Sequence, residues 1–291
     1  MAKQTKMMKK ITILFLFLCS ILILEANDIW TKVSKEQLKN DKKVNRSSFP
    51  NKAEYFKLDI EALKTKLGNA PERFVQNTSD LIIEFPDSEG KLEKFKVVSS
   101  PIMHADLAAK YPMIKTYAAQ GIDDPTAFMR FSITQFGLHT MCLSGIKSTS
   151  YIDPFTVNDN YYIVYNKQSL GIDAQGFECL VDDNAHLPSI ENDRSSTGLP
   201  KAINDQKFRI FRLAQSCTAE YGNIFANTSG TELADIQAQM TITVNRVNTV
   251  YEIDLGIQLQ FIANNDLLIY FGNTNNDPWD GEWNTTTAQT I

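Results

Sequence analysis

Residues 231–262, TELADIQAQMTITVNRVNTVYEIDLGIQLQFI, constrain the fold more than any other stretch of the chain. Leu233, Ile236, Met240, Val244, Val247 and Tyr251 recur at spacings of three and four, which puts one apolar stripe along a helix of about six turns. Ser229 and Glu232 stand at capping-box spacing, the hydroxyl placed to accept a first-turn amide and the carboxylate to reach back. Gly256 falls where the chain must leave the helix, because glycine enters the left-handed region without a Cβ penalty. Ile257, Leu259 and Phe261 then alternate with Gln258 and Gln260, the pattern of a half-buried strand. A long helix feeding a strand in this way opens an α/β layer.

Upstream, the pattern changes to short alternating runs. DLIIEF (80–85), KFKVVS (94–99), MIKTYAA (113–119), AFMRFSIT (127–134), LHTMCL (138–143) and YYIVYN (161–166) are separated by Gly, Asp, Asn and Pro. This spacing predicts an antiparallel sheet or sandwich. Short helices are expected at 58–67, before Gly68, Asn69 and Pro71, and at 105–110. Residues 49–181 therefore read as one β-rich domain. Residues 182–206, DDNAHLPSIENDRSSTGLPKAINDQ, carry too little apolar surface to offset ordering and read as a linker. A second block, 207–291, starts with a strand in FRIFRLAQ, continues through the long helix, and offers LLIY as a hairpin partner for IQLQFI. The fold class expected is α+β, with an incomplete second sheet that leaves apolar surface and an open edge.

Residues 1–26 have the layout of a secretory signal. Lys3, Lys6, Lys9 and Lys10 precede an apolar run at 11–24, too short for a span of roughly 20 residues, and Ala26 offers a small residue for cleavage. Leu18 before Cys19, and the apolar run continuing beyond it, argue against a lipidated cysteine. Residues 27–48 are polar and Lys-rich and read as a flexible lead-in. Overall, 29 Lys and Arg face 34 Asp and Glu, with no basic block, which speaks against a nucleic-acid partner. Localisation is expected to be secreted, periplasmic or extracellular, with no stable membrane span after cleavage.

FRIFRLAQSCTAEYG (208–222), MTITVNRVNTVYEIDLGIQLQFI (240–262) and NNDLLIY (264–270) resemble the start of the catalytic domain in secreted reprolysin-like (adamalysin-type) zinc metalloproteases of the metzincin group. The resemblance is strongest over about 85 residues and weaker before them. It implies a zymogen with signal peptide (1–26), inhibitory propeptide (about 27–206) and the first part of a catalytic domain acting on peptides or proteins. The family's zinc is held by His-Glu-x-x-His-x-x-Gly-x-x-His, with the Glu activating the attacking water. Here the only histidines are His104, His139 and His186, none followed by Glu and no two lying four apart. The chain as given therefore offers no catalytic residue, and zinc belongs to the intact family rather than to these residues.

The resemblance also singles out Cys179, in GFECLVDD, since a propeptide cysteine commonly caps the zinc in such zymogens. Leu180 follows it where better-known switch motifs have Gly, and a buried or disulfide-bonded role is the alternative. Cys142 reads as a buried strand thiol or a partner of Cys179. Cys217 reads as either a buried thiol or one awaiting a partner beyond Ile291. Glu252 and Asp254 read as a solvated helix end. The Trp279 and Trp283 region, 273–284, reads as a polar loop lacking the EF-hand register. Arg194, Lys201 and Lys207, in or beside the linker, are the expected maturation points. The competing class is a non-catalytic secreted β-rich inhibitor or binding module.

Overall fold

A computed structural model describes residues 29–46, 49–75, 79–157, 161–171, 207–226, 228–273 and 277–278. Nine strands form one antiparallel sheet in the order β1-β2-β9-β8-β7-β6-β5-β4-β3. They are β1 (Trp30–Val33), β2 (Glu54–Leu58), β3 (Ile82–Pro86), β4 (Leu92–Ser99), β5 (Lys115–Gly121), β6 (Phe128–Thr134), β7 (Gly137–Leu143), β8 (Ser150–Pro154) and β9 (Tyr161–Asn166). The sheet curls into a nearly closed barrel. Trp30 on the β1 edge reaches the β3 edge, donating its indole N–H to the Glu84 carbonyl at 2.8 Å. Inward positions fill the interior by strand alternation. Trp30, Phe56, Phe85, Phe95, Phe131, Ile133, Leu138, Tyr162 and Val164 meet there, joined by Leu63 and Leu67 of α1 (Ile60–Leu67). The arrangement is α+β.

A second core lies outside the barrel. Between β4 and β5, residues 101–114 carry α2 (Ala105–Lys110) and contribute Ile102, Met103, Leu107, Tyr111 and Ile114. They meet Ile236, Met240, Val244 and Phe261 from the second block. That block holds β10 (Arg209–Leu213), α3 (Ala219–Phe225), α4 (Glu232–Leu255) and β11 (Ile257–Phe261). β10 and β11 run parallel, from Arg209 opposite Ile257 to Leu213 opposite Phe261. Residues 102–104 add to the far side of β11. The Phe261 N–H donates to the Ile102 carbonyl at 2.7 Å, and the His104 N–H donates to the Phe261 carbonyl at 2.9 Å. Gly222 is obligatory where α3 crosses the chain, because a Cβ there would stand 2.1 Å from the Tyr270 carbonyl oxygen.

The helix and strand expected at 231–262 are present, and Gly256 ends α4 at φ +63°, in the left-handed region. Several details differ from expectation. The N-cap is Thr231 rather than Ser229, and Glu232 accepts from the Gly230 N–H instead of closing a capping box. LLIY forms no hairpin with β11. Residues Asn265–Leu268 make a single 3-10 turn, and Ile269 bridges Cys217 in parallel. The stretch read as a flexible lead-in contains β1, with Trp30 only 3% exposed and Leu38 1%. An edge strand needs few apolar residues, so its signal is lost among lysines.

The block after the expected linker is packed onto the barrel. α4 lies across β6 and β7, so β6 is buried on both faces. Met129, Phe131 and Ile133 point into the barrel, while Arg130, Ser132 and Thr134 are sealed beneath the helix. Along α4, the apolar residues Ile236, Met240 and Val244 face the second core. A polar set, Gln237, Thr241, Asn245, Asn248, Thr249 and Glu252, is buried as well. Tyr251, expected on the apolar stripe, is 38% exposed.

Candidate functional site: a charged seam between barrel and helix

Arg130 is a full charge placed mid-strand with none of its surface exposed. Such a group persists only if paired and fully hydrogen-bonded. Its Nε donates to Asn245 Oδ1 at 2.7 Å and its Nη2 to the Ser100 carbonyl at 2.9 Å. Its Nη1 pairs with Glu252 Oε1. The other carboxylate oxygen of Glu252 accepts from Arg73 Nη1 at 2.7 Å. Arg73 in turn lies over the rings of Phe74, Phe208 and Phe128. Burial and the neighbouring Arg73 charge lower the Arg130 pKa to about 10, against the pull of Glu252, so it remains a cation at neutral pH. Glu252, read from the sequence as part of a solvated helix end, is instead the buried counter-ion of two arginines.

A second cluster lies further up the helix with the signs reversed. Arg246 of α4 pairs with Asp153 of β8 and donates to the Thr140 carbonyl at 3.1 Å. Asp153 also meets Arg46 at 3.6 Å and accepts from the Tyr165 hydroxyl at 2.8 Å. Arg246 lies over the Tyr151 ring and Arg46 over that of Tyr165. Burial alone would raise the Asp153 pKa, but Arg246, His139, Arg46 and the Tyr165 hydroxyl overrule it and hold the carboxyl below its usual value. His139 of β7 stands in the same cluster. Its Nδ1 is enclosed without a hydrogen-bond partner. Burial, aided by Arg246 and Arg46, lowers its pKa to about 4 despite Asp153.

Smaller ties complete the seam. Lys110 of α2 meets Asp266 at 2.7 Å, and the Tyr111 hydroxyl donates to the same carboxylate at 3.3 Å. Gln135, in the β6–β7 turn, donates to the Ala234 carbonyl and to Asp235 at 3.0 Å each. These groups spend their charges on one another. A separate cleft of about 720 Å³ at the β1–β2 end is lined by Lys32, Ser34, Lys35, Lys52, Glu54 and Tyr55.

Among the residues singled out by sequence, Ala26, Cys179, His186, Arg194, Lys201, Trp279 and Trp283 lie outside the described residues. Lys207 is exposed just ahead of β10. Cys142 is a buried free thiol, its pKa pushed up to about 12 chiefly by burial. Cys217 is also buried and free, with Sγ 3.8 Å from the Tyr270 carbonyl oxygen. His104 caps α2, accepting from the Asp106 N–H at 3.3 Å. His104 and His139 are not brought together on any metal-binding group: among the described residues no three His, Cys, Asp or Glu side chains are placed to hold a metal. No described helix is long and apolar enough to cross a membrane.

Sequence reasoning missed Arg130, Asp153, Arg246 and Arg73. The available signal was Arg130 itself, a charge at a position flanked by AFM and FSI, where an exposed face or a buried partner is required. Comparison with known proteins found no matching family, no similar curated protein and no similar solved structure.

Proposed function

We propose that the chain is the N-terminal portion of a secreted zinc metalloendopeptidase precursor. In this reading residues 1–26 direct export, the β-barrel is the inhibitory propeptide, and 207–291 begin a metzincin-like catalytic domain. The observation that carries the reading is the parallel pairing of β10 with β11 across the α4 connection, formed by the very residues that resemble the family. Its β10 strand keeps apolar side chains in water, with Ile210 48% and Phe211 47% exposed, as expected of a sheet that further structure would cover. Zinc-bound water, activated by a glutamate outside these residues, would attack the peptide carbonyl.

The experiment is to express the product of the gene extended in frame beyond codon 291 and assay zinc content and peptide hydrolysis. An extension carrying His-Glu-x-x-His, with one zinc per chain and chelator-sensitive activity, supports the reading. A genuine stop, or an extension that neither binds zinc nor cleaves peptides, refutes it. The second reading, a non-catalytic binding module, draws on the barrel's self-contained core, which would serve either role.

A further inference from the structure

The seam is written in two signs. From α4 the barrel receives a cation, Arg246, and an anion, Glu252. It answers with an anion, Asp153, and a cation, Arg130. Six residues separate the two helix charges, about 9 Å along the axis at 1.5 Å per residue. A helix reversed in direction would bring Arg246 toward Arg130 and Glu252 toward Asp153, and one slid along its axis would part both pairs and carry one helix charge toward its like. Like charges buried together cost more than the correct pairs return, so the arrangement selects one register and one polarity. The outward residues of β6, Arg130, Ser132 and Thr134, are those of a strand face that tolerates water. The helix side is similarly polar at Thr241, Asn245, Asn248 and Glu252. Surfaces of this composition resemble an interface between partners more than the middle of one core.

We propose that the outer face of β6–β8 is a docking surface for α4, that it stays assembled when the chain between residues 171 and 207 is cut, and that it loosens in acid through His139.

His139 faces Asp153 from β8, Arg246 from α4 and Arg46 from the segment before β2, with the Gly137 backbone of its own strand as a hydrogen-bond partner. With the helix in place, two guanidinium groups oppose a proton on the ring. With the helix gone, Arg246 leaves and the ring is rehydrated. His139 then returns toward the ordinary imidazole value of about 6.5. Because its pKa is depressed only when docked, docking is strongest above pH 6.5 and weakens as pH falls toward about 4. The linkage gives up to tenfold per pH unit in that window. Below it, protonation of Asp153 removes the partner of Arg246 and acts in the same direction.

The proposal takes its cut site from the propeptide boundary proposed above and uses no zinc chemistry. The full chain, nicked by limited trypsin within 182–206, is followed by size-exclusion chromatography and by dissociation after dilution from pH 7.5 to 4.5. Co-elution at pH 7.5, with dissociation that strengthens below pH 6.5 and a flattened pH profile in His139→Gln, is expected. Pieces that part at pH 7.5, or a His139→Gln complex with the wild-type pH slope, would overturn it. Proton NMR of the intact wild-type chain gives a second reading that needs no variant. One of the three imidazole signals should fail to titrate above pH 5, and three signals all titrating above pH 6 would overturn the role of His139. Loss of docking at neutral pH leaves the protease reading standing. An inactive extended product with intact, acid-sensitive docking faults the protease reading alone.

Discussion

Glu252 lies near the C-terminal end of α4 beside Ile253 and Asp254, both exposed, and nothing in its neighbourhood distinguishes it from a solvated helix residue. Its partner Arg130 is 122 positions away. Glu252→Ala would strand Arg130 in a sealed site, with Arg73 as an additional like charge. We expect a loss of about 3–5 kcal/mol in chemical denaturation. Asp254→Ala should stay within about 0.5 kcal/mol, as exposed substitutions do. Replacing both members, Arg130→Met with Glu252→Leu, should recover most of the loss, because the cost lies in the unpaired charge. Cys142 gives an independent check at the same scale. With its pKa near 12 it holds almost no thiolate at pH 8, so a thiol reagent should label it far more slowly in the native chain than in denaturant. Equal rates would show that the thiol is accessible.

Among the elements, those with a clean internal period were legible before any coordinates. β4, β6 and β7 alternate, β9 is a continuous apolar run between turn residues, α4 repeats at three and four, and Gly256 terminates the helix. β8, SYIDP, was not legible, because Asp153 and Pro154 are poor strand formers whose place is set by Tyr165, Arg246 and the neighbouring strands. Gly256→Ala would force an alanine into the left-handed region and should cost about 1–2 kcal/mol in the same denaturation assay. At β10, Ile210 is half exposed on a strand that offers apolar side chains to solvent. Ile210→Lys should lower self-association, read by light scattering against concentration, with the unfolding midpoint nearly unchanged. A large fall in the midpoint would mean that Ile210 is part of a packed core.

For the molecule as a whole, closure of the barrel and docking of the second block are separate events with separate anchors. Trp30 spans the gap between β1 and β3, so Trp30→Ala should cost about 3–5 kcal/mol through lost packing and a lost hydrogen bond. Limited trypsin digestion of the wild-type chain should cut first within 182–206, at Arg194 or Lys201, and N-terminal sequencing locates the cut. First cuts inside 79–157 would contradict the boundary. The histidine spacings also predict that the 291-residue chain, expressed alone, holds no stoichiometric zinc and hydrolyses no peptide. One tightly bound zinc per chain, lost on substitution of His104, His139 or His186, would refute that prediction.

Taken alone, the sequence determined which residues share a face. A period of two or of three to four follows from backbone geometry, and it marks the barrel strands, the long helix and its glycine stop without reference to any partner. It could not determine what each face meets. Residues 30–33 became a barrel edge because Trp30 finds the interior, although the lysines around it suggest solvent. The polar side of α4 became buried because Arg130, Arg73 and Asp153 wait on the barrel with the complementary charges. Whether a charge is solvated or sealed depends on counter-ions distant in sequence. The desolvation cost is recovered only when the chain brings those partners within hydrogen-bond reach, and that was decided by the tertiary structure.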